Sequence, residues 1–286
     1  MISTEEVVVE KIAVVQGHGE SLETLAIESS RVAMKQFNSI TAVVAATFSN
    51  PNRFPSLAVK VAAALGLPSS TPAFDIQMAC SAYPYALYVA GKLAQDTGGK
   101  VLVVDGDVQS PFVDKADHAT GSIFSDACTA SIVSCGGERA DSGGAVSTKP
   151  PLSYFDFLSR ADDALKCPGT GPISMDGFAV FSFVATEVSK FLSSFLDGVA
   201  AGAGFDPRSL PFAPHQANPY MVRRLADALG LEDSLITIPE ELKNPGSCSV
   251  PMALAMNGRP GRVVVAGFGA GYSASAAVIR LGDGFA

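Results

Sequence analysis

Ala73-Phe74-Asp75-Ile76-Gln77-Met78-Ala79-Cys80-Ser81-Ala82-Tyr83 runs a short apolar strand straight into a cysteine and then into an Ala/Leu-rich helix from about Ala82 to Gln95. A cysteine at such a junction meets the unpaired backbone N–H groups and the dipole of a helix N-terminus, which favour thiolate over thiol. That is a nucleophile's position. Burial as a structural thiol is the competing reading, and it is the one that Cys128, Cys135, Cys167 and Cys248 take.

Outward from this stretch the same grammar repeats. Upstream, Val7 to Val15 reads as strand, Glu20 to Phe37 as helix and Ile40 to Phe48 as a continuous apolar strand; the turn Ser49-Asn50-Pro51-Asn52 leads to a helix from Ser56 to Leu65. Downstream come a strand from Lys100 to Asp105, a helix from Phe178 to Leu196, a strand from Leu210 to Ala213, a helix from Pro219 to Leu229 and a strand from Arg262 to Ala266. Strands that are apolar throughout are buried on both faces, and alternation with helices implies a layered α/β protein. Gly136 to Pro172, rich in Gly, Ser, Pro and Asp, reads as a surface connection. Its Tyr154-Phe155-Asp156-Phe157 patch is either a loop anchor or a cover over a site. The expected organisation is a first half over 1–137, a connection over 138–172 and a second half over 173–286.

Composition bounds the function. Of 286 residues, 48% are hydrophobic and 17% charged, enough for a large core and for a surface shared with a second copy. A net charge of -8 with no long Lys/Arg run argues against nucleic-acid binding, which needs a basic face to displace phosphate counterions. Five cysteines without Cys-x-x-Cys spacing, and only His18, His118 and His215, make a metal site unexpected. The acidic start Met1-Ile2-Ser3-Thr4-Glu5-Glu6 is unlike a secretory signal, and no apolar stretch reads as a membrane span of roughly 20 residues. The cytoplasm is the expected compartment.

Two further polar sites stand at element ends. His215 lies in Pro214-His215-Gln216-Ala217-Asn218, between a strand and a helix, and Asn244 opens Asn244-Pro245-Gly246-Ser247. With Cys80 they form a nucleophile, a histidine and an amide at element ends in an otherwise apolar chain, a set that points to nucleophilic catalysis rather than coincidence. Gly267-Phe268-Gly269-Ala270-Gly271 follows a strand and suits an oxyanion hole built from main-chain N–H groups. It lacks the Gly-x-Gly-x-x-Gly spacing of a dinucleotide site.

Together, the Cys80 stretch, His215-Gln216-Ala217-Asn218 and Asn244 to Pro251 resemble the β-ketoacyl-acyl-carrier-protein synthase III family of the thiolase superfamily. Val101 to Ser110, Gly121 to Asp126, Met175-Asp176-Gly177 and the final strand pair extend the resemblance from about Ser39 to Leu281. It implies a five-layered αβαβα fold of two similar halves, each with a mixed sheet, and a homodimer. It implies that Cys80 takes the acyl group of a thioester, and that His215 and Asn244 assist decarboxylation of a malonyl thioester whose enolate attacks the acyl-enzyme. Backbone N–H groups of Cys80 and Ala270 would form the oxyanion hole. Phe54, Phe124, Phe268 and Met175 correspond to the acyl pocket, although the phenylalanines serve equally as core. No cofactor is held permanently; substrates arrive on acyl carrier protein or coenzyme A.

The chain departs from the family in two respects. Its amino end is short, so the Trp and Arg that help hold the coenzyme A nucleotide are missing, and His118 stands where an arginine stacks on the adenine. Acyl carrier protein is therefore the expected donor. Arg223 and Arg224, shortly after Tyr220, are the docking candidates, unless they merely balance Asp227. Rival expectations are transfer of the acyl group to a hydroxyl or amine without decarboxylation, and a non-catalytic subunit paired with an active homologue.

Overall fold

The computed structural model describes residues 1–136, 152–169 and 171–285. In chain order the first part comprises β1 (Ile2–Glu5), β2 (Val7–Gln16), α1 (Leu22–Met34), β3 (Ile40–Ala46), α2 (Leu57–Ala64), β4 (Ala73–Ile76), α3 (Ala82–Thr97), β5 (Lys100–Asp107) and β6 (Ala127–Cys135). Then follow β7 (Leu152–Ser159), β8 (Leu165–Lys166), β9 (Ser174–Met175), α4 (Gly177–Phe183), α5 (Ser189–Ala203), β10 (Phe212–Pro214), α6 (Pro219–Leu229), α7 (Ser249–Asn257), β11 (Gly261–Gly269) and β12 (Ser273–Leu281).

The apolar runs β3 and β5 lie side by side and parallel, as strands buried on both faces should. Around them the first half is ordered β4-β3-β5-β6-β2, with β6 antiparallel to both β5 and β2. The second half is ordered β10-β11-β12-β7-β1. A short parallel ladder, Arg280 with Val8 and Leu281 with Val9, joins the two.

Three cores define five layers. Leu25 and Ala26 of α1 and Val61 of α2 pack on the outer face of the first half, against Val43, Leu102 and Ile132. Between the halves, α3 and α7 contribute Ala86, Leu87, Ala90 and Leu254 to a core that also takes Val103 and Val265 from opposite sheets. The small side chains of α3 suit a helix pressed from both sides. Phe195, Leu196 and Val199 of α5 and Leu225 of α6 cover the outer face of the second half. Helix entry follows local chemistry: Ser21, Asp176 and Asn218 each accept a bond from a first-turn N–H of α1, α4 and α6.

Two expectations need correction. The stretch read as connection contains β7, which pairs with β12 and β1, so Tyr154 to Phe157 is neither loop anchor nor cover. Phe155 faces the central core and Tyr154 the outer one, so β7 is apolar on both faces and shows no alternation, and polar flanking sequence hides it. The first strand, β1, likewise belongs to the second half's sheet, so that half is not confined to 173–286. Residues 138–151 of the proposed connection lie outside the described residues. The helical run Gly177–Ala203 has the length and mean hydropathy, 1.3, to cross a membrane; here one side of it packs on the second half's sheet.

Candidate active site

Cys80 sits where β4 turns into α3. The turn is a single 3-10 element, Ala79–Ser81, and Ala79 adopts a left-handed φ of 42°. A residue with a Cβ is strained there, by roughly 1–3 kcal/mol. Strand β11 packs directly against this turn. A Cβ on Gly267 would meet the Ser81 Cα at 2.7 Å, and one on Gly269 would meet the Cys80 Cβ at 3.0 Å and its Sγ at 3.6 Å. Only glycine permits that approach. Ser81 is fastened from β12, its Oγ bonded to that of Ser273 at 2.7 Å and its carbonyl accepting from Ser275 Oγ at 2.7 Å.

The cysteine lines a cavity of about 1140 Å³ whose walls include Gln109, Phe112, Phe124, Ala270 and Tyr272. Its thiol is pushed up to about 12, first by burial and then by the charge of the nearby Asp107, with Asp105 as a smaller cause. The helix-start argument led to a thiolate; in the dry interior desolvation outweighs the dipole, and the resting group is a thiol.

His215 leaves the end of β10 with its N–H on the Ala266 carbonyl of β11, 2.7 Å away. Its Nδ1 is 2.7 Å from Ser249 Oγ, and its ring stands edge-on to Phe268 with centroids 5.4 Å apart. Burial lowers the imidazole to about 3, so it is neutral. Residues 266 to 269 of β11 thus carry His215 at one end and touch Cys80 at the other.

Asn244 is buried in a loop that returns to the same place. Its N–H donates to Ile123 O at 3.0 Å, and its carbonyl accepts from Ser125 N at 3.0 Å and Gln109 Nε2 at 3.0 Å. Gly246 N–H donates to its Oδ1 at 3.0 Å, which leaves the side-chain amide hydrogens uncommitted by that bond. The residue before it, Lys243, has a φ of 55°. Of the three non-glycine residues with positive φ among the described residues, two therefore immediately precede Cys80 and Asn244. Asn244 lines a smaller cavity, about 250 Å³, together with Gln216, Ala217 and Asn218. Gln109 and Phe124, which touch the Asn244 backbone, line the Cys80 cavity, so the two spaces share a wall.

Comparison with known proteins settles the family. The family model for 3-oxoacyl-[acyl-carrier-protein] synthase III matches residues 74–149, and the model of its C-terminal part matches 201–281. The β-ketoacyl-[acyl-carrier-protein] synthase III of Neisseria gonorrhoeae is 29% identical over 283 residues, 93% of this chain and 86% of that protein. The mycobacterial β-ketoacyl-[acyl-carrier-protein] synthase III of Mycobacterium avium is 32% identical over 292 residues, 93% and 83% of the two chains. This chain belongs to the synthase III family. The solved synthase III of Pseudomonas aeruginosa matches with a TM-score of 0.83 at 25% identity, over 97% of this chain and 98% of that one. The Burkholderia xenovorans 3-oxoacyl-(acyl-carrier protein) synthase, at 22% identity and a TM-score of 0.83, supports the fold.

Within the synthase III frame the remaining expectations divide. Phe124 and Ala270 line the Cys80 cavity. Phe54 does not; it is 85% exposed. Phe268 is core, turned toward His215, and Met175 pairs from β9 with Leu165, which is itself a wall residue. For Phe268 this is the core alternative that the sequence left open; a match by position does not fix which way a side chain turns. Arg223 and Arg224 lie on α6, 65% and 62% exposed, near Glu240 (3.6 Å) and Asp227 (3.4 Å). His118 is exposed and lines neither cavity. No cluster of three or more metal-ligating side chains occurs among the described residues. Sequence reasoning passed over Ser249, Gln109 and Asp107. The first lies inside the quoted Asn244 to Pro251 motif and the other two inside Val101 to Ser110, so their signal was proximity to a motif.

Proposed function

We propose that this synthase III chain condenses an acyl thioester with a malonyl thioester, with Cys80, His215 and Asn244 as its working groups. The Cys80 sulfur attacks the acyl carbonyl, the carbon–sulfur bond of the donor breaks, and the thiol proton ends on the departing pantetheine sulfur. N–H groups of Cys80 and Ala270 hold the oxyanion. The malonyl thioester then loses carbon dioxide, and its enolate attacks the acyl-enzyme. A β-ketoacyl thioester leaves, and the returning Cys80 thiolate takes up a proton.

What supports this reading is that β11 ties His215 to the turn of Cys80, while Asn244 is tied through Gln109 and Phe124 to the wall of the Cys80 cavity. A neutral imidazole and an amide can hydrogen-bond an enolate oxygen without protonating the carbon. Ser249 Oγ accepts from Gln216 N–H at 3.3 Å and keeps its own hydrogen for His215 Nδ1; in that tautomer the ring proton is on Nε2, the one the scheme uses. Asn244 contributes Nδ2–H because its Oδ1 is occupied by Gly246. The large cavity has room for an acyl chain and a pantetheine arm.

Acyl carrier protein is the proposed donor, docking through Arg223 and Arg224 of α6. A homodimer is proposed from the open edge of β4 and the exposed apolar side chains Phe54 and Phe74. The two sheets are taken as the two halves of the chain, in the cytoplasm. The test is carbon dioxide release from a malonyl thioester. Asn244→Ala should lose about 10²–10³-fold of it while Cys80 is still acylated; acyl transfer to another acceptor without carbon dioxide would replace this reading by its rival.

A further inference from the structure

Behind the Cys80 turn, β5 ends in two carboxylates that the condensation scheme does not use. Asp105 and Asp107, two residues apart, face the central layer from the same side of the strand. Both are fully buried, yet their surroundings differ completely.

Five donors converge on Asp107. Its Oδ1 accepts from Thr47 Oγ1 at 2.8 Å, Phe48 N at 3.0 Å and Ser49 N at 3.3 Å, all just past the end of β3. Its Oδ2 accepts from Ser247 N at 3.1 Å and Ser247 Oγ at 2.7 Å, in the loop that begins at Asn244. Burial raises the Asp107 carboxyl from its usual range, and the five donors, three of them backbone N–H groups that can only donate, work against that rise in favour of the charged form. Neither Asp105 oxygen meets a partner at hydrogen-bond geometry among the described residues, although Ser247 lies near enough to ease the burial that holds the Asp105 carboxyl well above the usual range.

We propose that Asp107 is a positioning residue that fastens the loop of Asn244 to the end of β3 and places one negative charge behind Cys80, so that one carboxylate both seats the Asn244 amide and holds the Cys80 sulfur back from ionising. The inference rests on the proposed function for its catalytic meaning. Asn244 is three residues from Ser247, and the intervening Gly246 passes so close that a Cβ on it would lie 2.8 Å from Asp107 Oδ2. Releasing Ser247 therefore frees the amide that faces the enolate. The charge is felt at the thiol: Asp107 is the largest contributor after burial itself to the raised Cys80. The other titratable groups nearby are Asp105 from β5, Tyr83 from α3, Cys128 from β6, Cys248 from the loop and His215 from β10. All of them are held in their neutral forms by burial.

Three variants separate positioning from plain fastening. Asp107→Asn removes the charge and sets an amide against the Ser247 N–H, Ser247→Ala loosens only the loop side, and Thr47→Val loosens only the β3 side. Two readouts are taken on the full chain: alkylation of Cys80 by iodoacetamide at pH 8, followed by mass, and carbon dioxide release from a malonyl thioester by the acylated protein. Asp107→Asn should alkylate about tenfold faster, one pKa unit at the thiol, while releasing carbon dioxide about tenfold more slowly, the cost of one misplaced hydrogen bond. Ser247→Ala should lose carbon dioxide release and alkylate more slowly, because the charge is less compensated. Thr47→Val also removes a donor to Asp107 and should slow alkylation likewise, but it should cost less carbon dioxide release than Ser247→Ala, because Phe48 and Ser49 N–H still hold Oδ1. Unchanged alkylation in Asp107→Asn, or equal losses of carbon dioxide release in Thr47→Val and Ser247→Ala, would overturn the proposal. If Asp107→Asn does not fold, the two loop-side and β3-side variants still decide it. The alkylation arm needs no substrate, so a wild type that releases no carbon dioxide counts against the condensing reading alone.

Discussion

Acid should destabilise this protein through one side chain. His215 is lowered from 6.5 to about 3 by burial, so the unfolded chain takes up a proton that the folded one refuses. The stability that follows from a neutral ring is complete above pH 6.5 and is lost as pH falls toward 3. Between pH 7.5 and pH 4.5 the loss comes to about 2.7 kcal/mol, from two pKa units at 1.36 kcal/mol each. His215→Gln carries no such proton and should lack that part of the slope, whatever it costs at neutral pH. Urea midpoints of both chains across pH 4.5 to 8 read the difference directly. Their stability gap should change by about 2.7 kcal/mol in favour of the variant on acidification. Parallel curves would mean that the folded imidazole accepts a proton freely, and the neutral donor required beside an enolate would not exist.

Three other perturbations probe the geometry. Gly269→Ala puts a methyl 3.0 Å from the Cys80 Cβ at a φ of 158°; acylation of Cys80 should fall at least about tenfold, from 1–3 kcal/mol of overpacking, with circular dichroism unchanged, and normal acylation would show that β11 does not press on the nucleophile. Lys243→Gly relieves a strained φ of 55° and should raise stability by about 1 kcal/mol in denaturant titration, whereas a loss would show that no strain is stored beside Asn244. Arg223→Glu with Arg224→Glu should raise KM for carrier-borne acyl groups about tenfold while leaving small thioesters unaffected; equal effects on both would remove α6 from docking.

Much of the fold was legible because its strands and helices obey simple periods. The helix from Pro219 to Leu229 was read at its observed bounds because Asn218, Pro219 and Gly230 mark its ends. The layered architecture followed from the continuous apolar runs at Ile40 and Lys100. The strand β7 was not legible: buried on both faces and only eight residues long, it has no alternation to set it apart from its polar flanks. Pairing of β1 with β7 was equally hidden, because register between distant strands is set by tertiary packing.

At the site, residue types and spacing pointed to Cys80, His215 and Asn244, which lie at element ends or in turns; Cys80 and Asn244 each line a cavity, and His215 is buried and tied to the Cys80 turn through β11. The protonation state of Cys80 was misjudged because the helix start is visible in sequence, while the burial and the acidic side chains at the end of β5 that oppose it are properties of packing. Phe54 and Phe268 show the same limit. Both were matched to the acyl pocket by resemblance alone, yet one is turned out to solvent and the other into core.

The most direct measurement is the mass added to Cys80. The purified chain is mixed with a panel of acyl thioesters, digested and mapped, before and after a malonyl thioester is supplied. Expected is one acyl group on the peptide carrying Cys80, removed on malonyl addition with release of carbon dioxide and a β-ketoacyl thioester. An unmodified Cys80 with every donor, or an adduct on a different residue, would contradict the assignment of this cavity as the condensing site.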